Sequence, residues 1–240
     1  MTQANALLGL LTETALHAGA GSSVGSIDLP IQREAHSDWP CVYGSAVKGA
    51  LRARAEDLKE DLKMESSKIE AIFGPDTRNA DDHAGALAVG DARLLLLPVR
   101  SLTGHYRWVT CPALLRRLQR DAARLSVTLG KVSVPEKVGM NQALTPAYEG
   151  DLLLEEYRLK AVKADLDSLL ESLFRLMDDG ENLELLHSQL AVVSDDLFAD
   201  LVRFHMPVAA HVRIDNETKT VKERALWYEE SLPPDTLLYV

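Results

Sequence analysis

The pattern of apolar and polar positions predicts a strand, a loop and a helix in the first sixty residues. Apolar residues mixed with threonine at Ala6–Ala15 suit a first strand, whereas Gly19–Ser26 holds too much glycine and serine for regular structure. Ser45 is a good N-cap for the helix that follows. The apolar face of this helix repeats at helical spacing and comprises Val47, Leu51, Ala55, Leu58 and Leu62.

The middle of the chain predicts two strands and a helix. The leucine-rich segment Gly85–Ser101 indicates a buried strand that ends at Pro98, and Tyr106–Thr110 indicates a further short strand. Pro112 suits the first turn of a helix that runs to about Leu125.

A long loop and then helices are predicted in the next eighty residues. Residues 126–150, which carry several glycines and prolines, predict an excursion, and Leu152–Val162 predicts a strand. Helical spacing predicts Leu166–Met177 and Glu184–Val193, and another helix begins at Ser194.

A long β-hairpin is predicted at about 207–227, where apolar positions lead into a polar tip at Asp215–Thr218 and return from it. Its basic side chains are His211, Arg213, Lys219, Lys222 and Arg224. The whole order of elements is typical of an α+β fold with a modified ferredoxin-like or RNA-recognition-motif core, to which insertions and the hairpin are added.

Composition limits the class of protein. A chain of 240 residues can form one sizeable domain or two small ones. No apolar run approaches the roughly 20 residues of a membrane span, and the N-terminus lacks the basic region of a signal peptide, so no membrane partner is expected. Cys41 and Cys111 make neither a disulfide framework nor a zinc site, and the cytoplasm is the simplest compartment.

The net charge of −10 at first argues against a nucleic-acid partner, but the uneven distribution of this charge weakens the argument. Residues 151–200 hold 13 acidic and 4 basic side chains, so most of the negative charge belongs to a mainly helical, acidic module at about 163–205. This module is either a solvated surface or a face for a basic protein. The rest of the chain is nearly neutral.

One carboxylate, Asp28, lies among apolar neighbours directly after the Gly/Ser loop. The loop lacks the spacing of a dinucleotide-binding turn, so it is either a flexible connection or a close approach of backbone to a ligand. Asp28 is either a turn residue bonded to its own backbone or a carboxylate that binds a divalent cation or takes a proton from a ribose hydroxyl. Further ligands for a cation would have to come from RNA phosphate or another chain.

Other candidate residues carry the same kind of ambiguity. Ser45, Lys48 and Arg52 combine a helix start with two cations four residues apart, which is typical of an anion site but also of a solvated helix. His17 could join Asp28 or serve a structural purpose. The adjacent carboxylates Glu229 and Glu230 are either rim residues or members of the site.

At these residues the chain resembles the repeated backbone subunit of type III-B (Cmr) CRISPR effector complexes, in the RAMP superfamily. The most specific motifs are HAGAGSSVGSIDLPIQRE at His17–Glu34 and YGSAVKGALR at Tyr43–Arg52. Supporting motifs follow in order along the chain: IFGP at Ile72–Pro75, GDARLLLLPVRS at Gly90–Ser101, WVTCP at Trp108–Pro112 and ALWYEESLPPDT at Ala225–Thr236.

The resemblance implies a CRISPR RNA-binding filament subunit of an antiviral complex, with a palm and a thumb hairpin that interrupts the guide–target duplex at regular intervals. The implied partners are CRISPR RNA, target RNA, further copies of the chain and other Cmr subunits. The implied activity is an endoribonuclease that cuts target RNA with Mg²⁺ or Mn²⁺, leaving 2′,3′-cyclic phosphate and 5′-hydroxyl ends. The alternative is a structural guide-RNA-binding subunit that does not cut.

The resemblance also implies site residues by position in the motifs. Asp28 matches the catalytic aspartate and metal ligand, and His17, Glu229 and Glu230 are secondary catalytic candidates. The residues expected to bind RNA are Ser45, Lys48, Arg52, Arg33, Arg213 and Lys222. The family usually continues into a glycine-rich C-terminal segment, whereas this chain stops at Val240 without it. We therefore expect either a truncated or a naturally short form of a single RAMP domain.

Replacing Lys48 and Arg52 together by alanine is expected to weaken guide RNA binding and to flatten its dependence on salt, because phosphate contacts release counterions. Titrations of guide RNA at several salt concentrations measure both quantities. An unchanged affinity and an unchanged salt slope would rule out phosphate contacts at these residues.

Overall fold

The computed structural model describes residues 4–23, 25–75, 83–130, 132–177 and 182–240. The chain divides into two compact units. The larger unit contains Met1–Cys41 and Arg93–Tyr239, and the smaller unit contains Val42–Ala92. The predicted α+β class is confirmed, because helices and a large sheet occur together.

The helices and strands of the described residues are short to medium in length. The strands are β1 (Gly9–Leu11), β2 (Cys41–Val42), β3 (Ala92–Arg100), β4 (Tyr106–Thr110), β5 (Gln142–Thr145), β6 (Gly150–Leu154), β7 (Tyr157–Lys163), β8 (Leu190–Val192), β9 (Val208–Ile214), β10 (Val221–Glu230) and β11 (Leu237–Tyr239). The helices are α1 (Gly44–Asp57), α2 (Ser66–Phe73), α3 (Pro112–Leu125), α4 (Asp167–Met177), α5 (Asn182–Gln189) and α6 (Asp195–Phe204). None of these helices combines the length and the apolarity needed to span a bilayer.

The sheet of the larger unit is mixed, with the strand order β1-β11-β3-β4-β8-β5-β7-β6. The pairs β4–β8 and β5–β7 are parallel, and the other pairs along this path are antiparallel. Strands β9 and β10 form a separate two-stranded sheet. The strands of the larger unit therefore form a broad sheet and a separate hairpin.

The hydrophobic core joins the sheet to α3 and α4. Leu96 and Trp108 come from adjacent strands, Leu118 from α3 and Leu173 from α4, and each is at most 1 % exposed. Burying one such side chain stabilises the fold by about 1.5–3 kcal/mol. The indole Nε1 of Trp108 donates to the carbonyl of Asp235 at 2.8 Å, so its polar atom is satisfied as well.

Several predicted elements are found with nearly the predicted bounds. β4 and α3 begin and end where the pattern predicts, with Pro112 in the first turn of α3. α4 covers the predicted helix except for Leu166. The hydroxyl of Ser194 caps α6 by accepting a hydrogen bond from the Leu197 amide at 3.3 Å. β9 and β10 are the predicted hairpin, and β10 continues to Glu230.

Ser45 is not the N-cap of α1, so this prediction is wrong. The helix begins at Gly44, Tyr43 occupies the N-cap, and Ser45 is exposed in the first turn. The capping acceptor is Asp91, whose Oδ1 accepts from the Gly44 amide at 2.7 Å. Gly44 allows this approach, since a Cβ there would lie 2.5 Å from the carbonyl oxygen of Val89.

Two strand and helix predictions are wrong in part. The single strand predicted at Leu152–Val162 is the β6–β7 hairpin, which turns at Glu155 with a φ of 49°. The helix predicted at Glu184–Val193 ends at Gln189, and the next residues form β8 between β4 and β5. A short apolar run has no periodicity that distinguishes a buried strand from a buried helix.

Other bounds also shift. The first strand is only Gly9–Leu11, and the strand expected to end at Pro98 continues to Arg100. The predicted excursion at 126–150 contains β5. Neither α2 nor β11 was predicted.

A buried ion pair joins the segment after Asp28 to α3. Nη1 of Arg117 lies 2.6 Å and 2.8 Å from the two carboxylate oxygens of Glu34, and the side chains are only 9 % and 11 % exposed. The same guanidinium lies over the ring of Trp39 at 5.2 Å. Trp39 in turn meets Phe198 of α6 edge-on, with ring centroids 6.0 Å apart.

Arg117→Ala is expected to lower the free energy of unfolding by about 3 kcal/mol, because the nearly buried carboxylate of Glu34 loses its guanidinium partner and keeps only weaker contacts such as the Ser37 hydroxyl. Chemical denaturation measures the loss. Arg116→Ala is the matched control, since its ion pair with Asp195 is about half exposed and such pairs contribute about 0–1 kcal/mol. Equal losses in the two variants would contradict this account.

Candidate active site

The carboxylate of Asp28 is held at the base of the β9–β10 hairpin. Its Oδ2 accepts a hydrogen bond from the backbone amide of Tyr228 at 2.8 Å. The flanking backbone is paired too, because the Leu29 amide donates to the Tyr228 carbonyl at 3.0 Å and the Glu230 amide donates to the Leu29 carbonyl at 3.0 Å. The side chain therefore binds strand β10 and not its own turn. Within the described part of the chain, Oδ1 has no hydrogen-bond partner.

The Gly/Ser loop before Asp28 is fixed at both ends. The Ala20 amide donates to the Pro30 carbonyl at 2.9 Å, and the Gln32 amide donates to the Ala18 carbonyl at 2.7 Å. Closer to the tip, the Ser23 amide donates to the carbonyl of Asp28 at 2.9 Å. Backbone hydrogen bonds thus hold the two ends of the loop together.

The side chain of Glu230 contacts the segment that follows Asp28, and Glu230 is only 4 % exposed. Its Oε1 lies 2.5 Å from Nη2 of Arg33, and its Oε2 accepts from the Ile31 amide at 3.0 Å. Both oxygens are engaged in holding the backbone that leads away from Asp28. This geometry favours a positioning role for Glu230 over proton transfer.

Arg33 directs its donors inward. Its Nη1 donates to the carbonyls of Asp38 at 2.8 Å and Val202 at 3.0 Å, and its side chain is 17 % exposed. Val202 lies in the last turn of α6, where carbonyls lack intrahelical donors. The contact of Arg33 with RNA stays a prediction, and the structure gives this residue a bracing function between α6 and β10.

His17 lies beside the same carboxylates. Its Nδ1 is 2.7 Å from the carbonyl oxygen of Glu230 and 4.0 Å from Oε1 of Glu229. A carbonyl can only accept, so Nδ1 carries the hydrogen and Nε2 of the neutral ring is left to accept a proton. Nε2 packs over Gly19, where a Cβ would lie only 2.8 Å away. The first glycine of the HAGAG motif therefore makes room for the imidazole.

The helix start in the smaller unit holds the other predicted cations. Ser45 is exposed and Lys48 is partly exposed on the N-terminal half of α1. Arg52 is engaged within its own unit, because its Nη1 donates to the carbonyls of Gly74 at 3.2 Å and Pro75 at 2.9 Å. Its Nε also lies 2.9 Å from Oε1 of Glu56. Replacing Arg52 therefore removes contacts at the end of α2 as well as a positive charge.

The hairpin is exposed on both faces. Arg213 is exposed on β9, and Nζ of Lys222 lies 3.5 Å from Oδ2 of Asp215 at the tip. Hydrogen bonds from the Thr218 and Glu217 amides lower the pKa of the Asp215 carboxyl, which stays ionised there. The exposed apolar side chains of the hairpin are Val208, Val212, Ile214, Val221, Leu226 and Tyr228. Side chains of residues 223 and 224 lie outside the described ones, so nothing is assigned to Arg224.

The structure thus brings Asp28, His17, Glu229, Glu230 and Arg33 together in the larger unit. Sequence reasoning missed Tyr228, which contributes a backbone amide and so leaves no signal in the side-chain pattern. It also missed the stacking of His211 on Trp227 across the hairpin, where the centroids lie 5.5 Å apart.

The protein ligands described here would hold a divalent cation only if RNA supplied further oxygen ligands. Among the described residues, no group of three or more His, Cys, Asp or Glu converges for metal binding. Mg²⁺ is often held by one or two carboxylates, with phosphate oxygens and water completing its shell. Asp28 could supply one carboxylate of that kind. A thiol nucleophile is disfavoured, because burial raises the pKa of Cys111 to about 12.

Comparisons with known proteins give a consistent family. The sequence profile of the RAMP superfamily matches residues 10–239. The chain is 39 % identical over 237 residues to the CRISPR system Cmr endoribonuclease Cmr4 of Pyrococcus furiosus, covering 97 % of this chain and 79 % of that protein. It is 23 % identical over 252 residues to the CRISPR system CMR subunit Cmr4 of Saccharolobus solfataricus, covering 94 % and 80 %.

Solved structures show the same likeness. Oligomeric Cmr4 from Pyrococcus furiosus matches with a TM-score of 0.71 and 32 % identity, over 97 % of this chain and 78 % of that chain. A chain of the type III-B Cmr-beta complex bound to cognate target RNA, solved by cryo-EM, matches with a TM-score of 0.74 and 22 % identity, over 97 % and 81 %. The second likeness concerns the fold alone.

Gly19→Ala is expected to destabilise the protein by about 1–3 kcal/mol, because the new methyl group collides with the imidazole of His17. In a His17→Ala background the same substitution is expected to cost little. Denaturant titrations of the four proteins in this cycle measure the coupling. Equal losses in both backgrounds would show that Gly19 is required for another reason.

Proposed function

Because the chain belongs to the RAMP superfamily, we propose that it binds CRISPR RNA as a backbone subunit of a type III-B Cmr complex and cleaves complementary target RNA. The observation that carries the proposal is the Asp28 carboxylate, which the Tyr228 amide holds at the hairpin base at 2.8 Å. The relative with 39 % identity is named an endoribonuclease, which supports the cleaving form of the proposal.

The two sheets have distinct tasks in this proposal. The broad sheet with α3 and α4 is the palm, a modified ferredoxin-like core that carries the guide. The β9–β10 hairpin is the thumb, which interrupts the guide–target duplex. Its tip exposes Ile214 and Val221, each 55 % accessible, and apolar side chains of this kind can take the place of a stacked base pair.

Cleavage uses the hydroxyl of the target itself. The 2′-oxygen attacks the adjacent phosphorus while its proton passes to Asp28, and the bond from phosphorus to the 5′-oxygen breaks. The departing oxygen takes a proton, for which a protonated His17 is the candidate donor. The products are a 2′,3′-cyclic phosphate and a 5′-hydroxyl end. In the alternative to its role as the base, Asp28 would be the protein ligand of a bound Mg²⁺ or Mn²⁺, which would supply charge neutralisation at the phosphate.

Phosphate contacts are proposed for cations on α1 and on the hairpin. Ser45 and Lys48 at the start of α1 offer a hydroxyl and an ammonium to the guide backbone, with Arg52 one turn further on. Arg213 and Lys222 offer positive charge along the hairpin. These contacts hold RNA without reading its sequence, as a subunit that accepts any guide requires.

The proposed partners are CRISPR RNA, target RNA, further copies of the chain and other Cmr subunits. The solved relative that is described as oligomeric supports self-assembly. The acidic module, which contains α4, α5, β8 and α6, would face solvent or a neighbouring small subunit and not RNA. The cysteines at positions 41 and 111 are buried and do not form a disulfide, which agrees with a reducing cytoplasm.

Asp28→Ala is expected to retain guide binding and assembly while target cleavage in Mg²⁺ or Mn²⁺ falls by at least about 10²-fold, as for a lost general base. Single-turnover cleavage by the assembled complex measures the change. Asp28→Asn is the matched control for structure, since an amide oxygen can still accept from Tyr228 while the negative charge is lost.

Both variants should therefore be inactive if the charge of Asp28 is required. Normal cleavage by Asp28→Asn with loss only in Asp28→Ala would assign Asp28 a purely structural role. Normal cleavage by both would favour the structural, non-cleaving subunit as the function of this chain.

A further inference from the structure

We propose that Trp227 and His211 form a stacking platform for an unpaired nucleobase of the target RNA beside Asp28, an inference that rests on the proposed function. The two rings lie nearly parallel across the β9–β10 hairpin, with centroids 5.5 Å apart and planes inclined by 17°. Both residues are only partly buried, so ring surface remains accessible to a ligand. The platform would accept any of the four nucleobases, because every base has a π-face.

The register of the hairpin puts this pair next to the candidate catalytic residues. Trp227 is opposite His211, and Glu229 is two residues further along β10. Alternate residues of a strand project from the same face, so Glu229 and the ring pair share a face. The carboxylate of Glu229 lies 4.0 Å from the His17 ring.

Asp28 contacts the backbone of β10 at the same residues. The residue between Trp227 and Glu229 is Tyr228, whose amide binds the Asp28 carboxylate. Arg213 is two residues from His211 and exposed on β9. An aromatic platform, a carboxylate and a cation for phosphate thus lie along a few residues of one hairpin.

The chemistry of the cut favours such a platform. In-line attack needs the 2′-oxygen, the phosphorus and the departing 5′-oxygen in a row, which the regular helical backbone does not provide. The attacking nucleotide must therefore leave the stack, and its base loses the stacking energy of its neighbours. Aromatic side chains recover much of that energy when they receive a splayed base. A base seated on Trp227 would hold the ribose near Asp28.

A purely structural role is the competing explanation, because cross-strand aromatic pairs also stabilise hairpins. The two roles differ in one measurable respect. A platform makes the effect of Trp227 depend on the base of the RNA, whereas a hairpin brace acts equally on every target.

The test is a cycle between protein and RNA in the assembled complex with its guide. One target carries an abasic ribonucleotide, which keeps its 2′-hydroxyl, at a single cleavage position. Wild type is expected to cut this position about tenfold more slowly than the intact one. Trp227→Leu, which keeps apolar volume without a π-face, should cut both targets slowly and at equal rates. Trp227→Phe should restore the difference.

Two controls separate the possible failures. Leu226→Ala removes a 56 % exposed side chain from the other face of β10, so this variant should keep the wild-type sensitivity to the abasic site. Unmodified positions of the same target should be cut normally by wild type. If no position is cut, the proposed function fails and the platform fails with it.

If unmodified positions are cut, the platform alone is under test. An abasic effect of the same size in wild type and Trp227→Leu would overturn it. So would a wild type that cuts the abasic position at full rate, or a Trp227→Leu variant as fast as wild type on intact RNA.

Discussion

The buried carboxylate of Glu230 is the constraint on which the candidate site depends. It accepts from the Ile31 amide with one oxygen and pairs with Arg33 through the other, at 3.0 Å and 2.5 Å. A carboxylate that is 4 % exposed must have such partners, because an unpaired buried charge is strongly unfavourable. If the end of β10 moved away from the segment that follows Asp28, this charge would become exposed to solvent or would lose its partners. Arg33 extends the connection to α6 through the Val202 carbonyl, and the next residue, Glu34, extends it to α3.

This bracing explains why a small carboxylate at the foot of an exposed loop has a defined position. Asp28 itself makes one side-chain hydrogen bond among the described residues, and that bond is to a backbone amide of β10. The amide engages one oxygen of the carboxylate and leaves the second oxygen to a ligand. The parallel bridge between Leu29 and Glu229 keeps this amide in register. Positioning is thus supplied by backbone pairing and a buried ion pair, and the reactive group contributes little to its own placement.

The sequence predicted elements well where a single periodicity operates. α3 has leucines at helical spacing and a proline in its first turn, and its bounds were correct. The pattern failed where burial on both faces removes periodicity, as in β8, whose three residues are all fully buried. It also failed where distant residues cap an element, since the acceptor at the start of α1 is Asp91 and not Ser45. For the candidate site, motifs singled out Asp28 and His17 as candidates, but the Tyr228 amide and the inward direction of Arg33 depend on tertiary pairing that no local pattern contains.

The separation of the hairpin from the broad sheet has a consequence for where a target would be cut. An isolated two-stranded sheet is marginally stable in water, and this one is secured at its base. There the Ser231 amide donates to the Pro207 carbonyl at 3.0 Å, and Glu230 and Leu29 add their contacts. The tip is held by hydrogen bonds of its own turn to Asp215, and these are separate from the hydrogen bonds at the base. A tip that adjusts to RNA therefore need not move Asp28, because base and carboxylate form one braced unit. Under the proposed function, the spacing between cuts in a filament of copies would follow from the spacing between these units, whatever each tip does in the duplex.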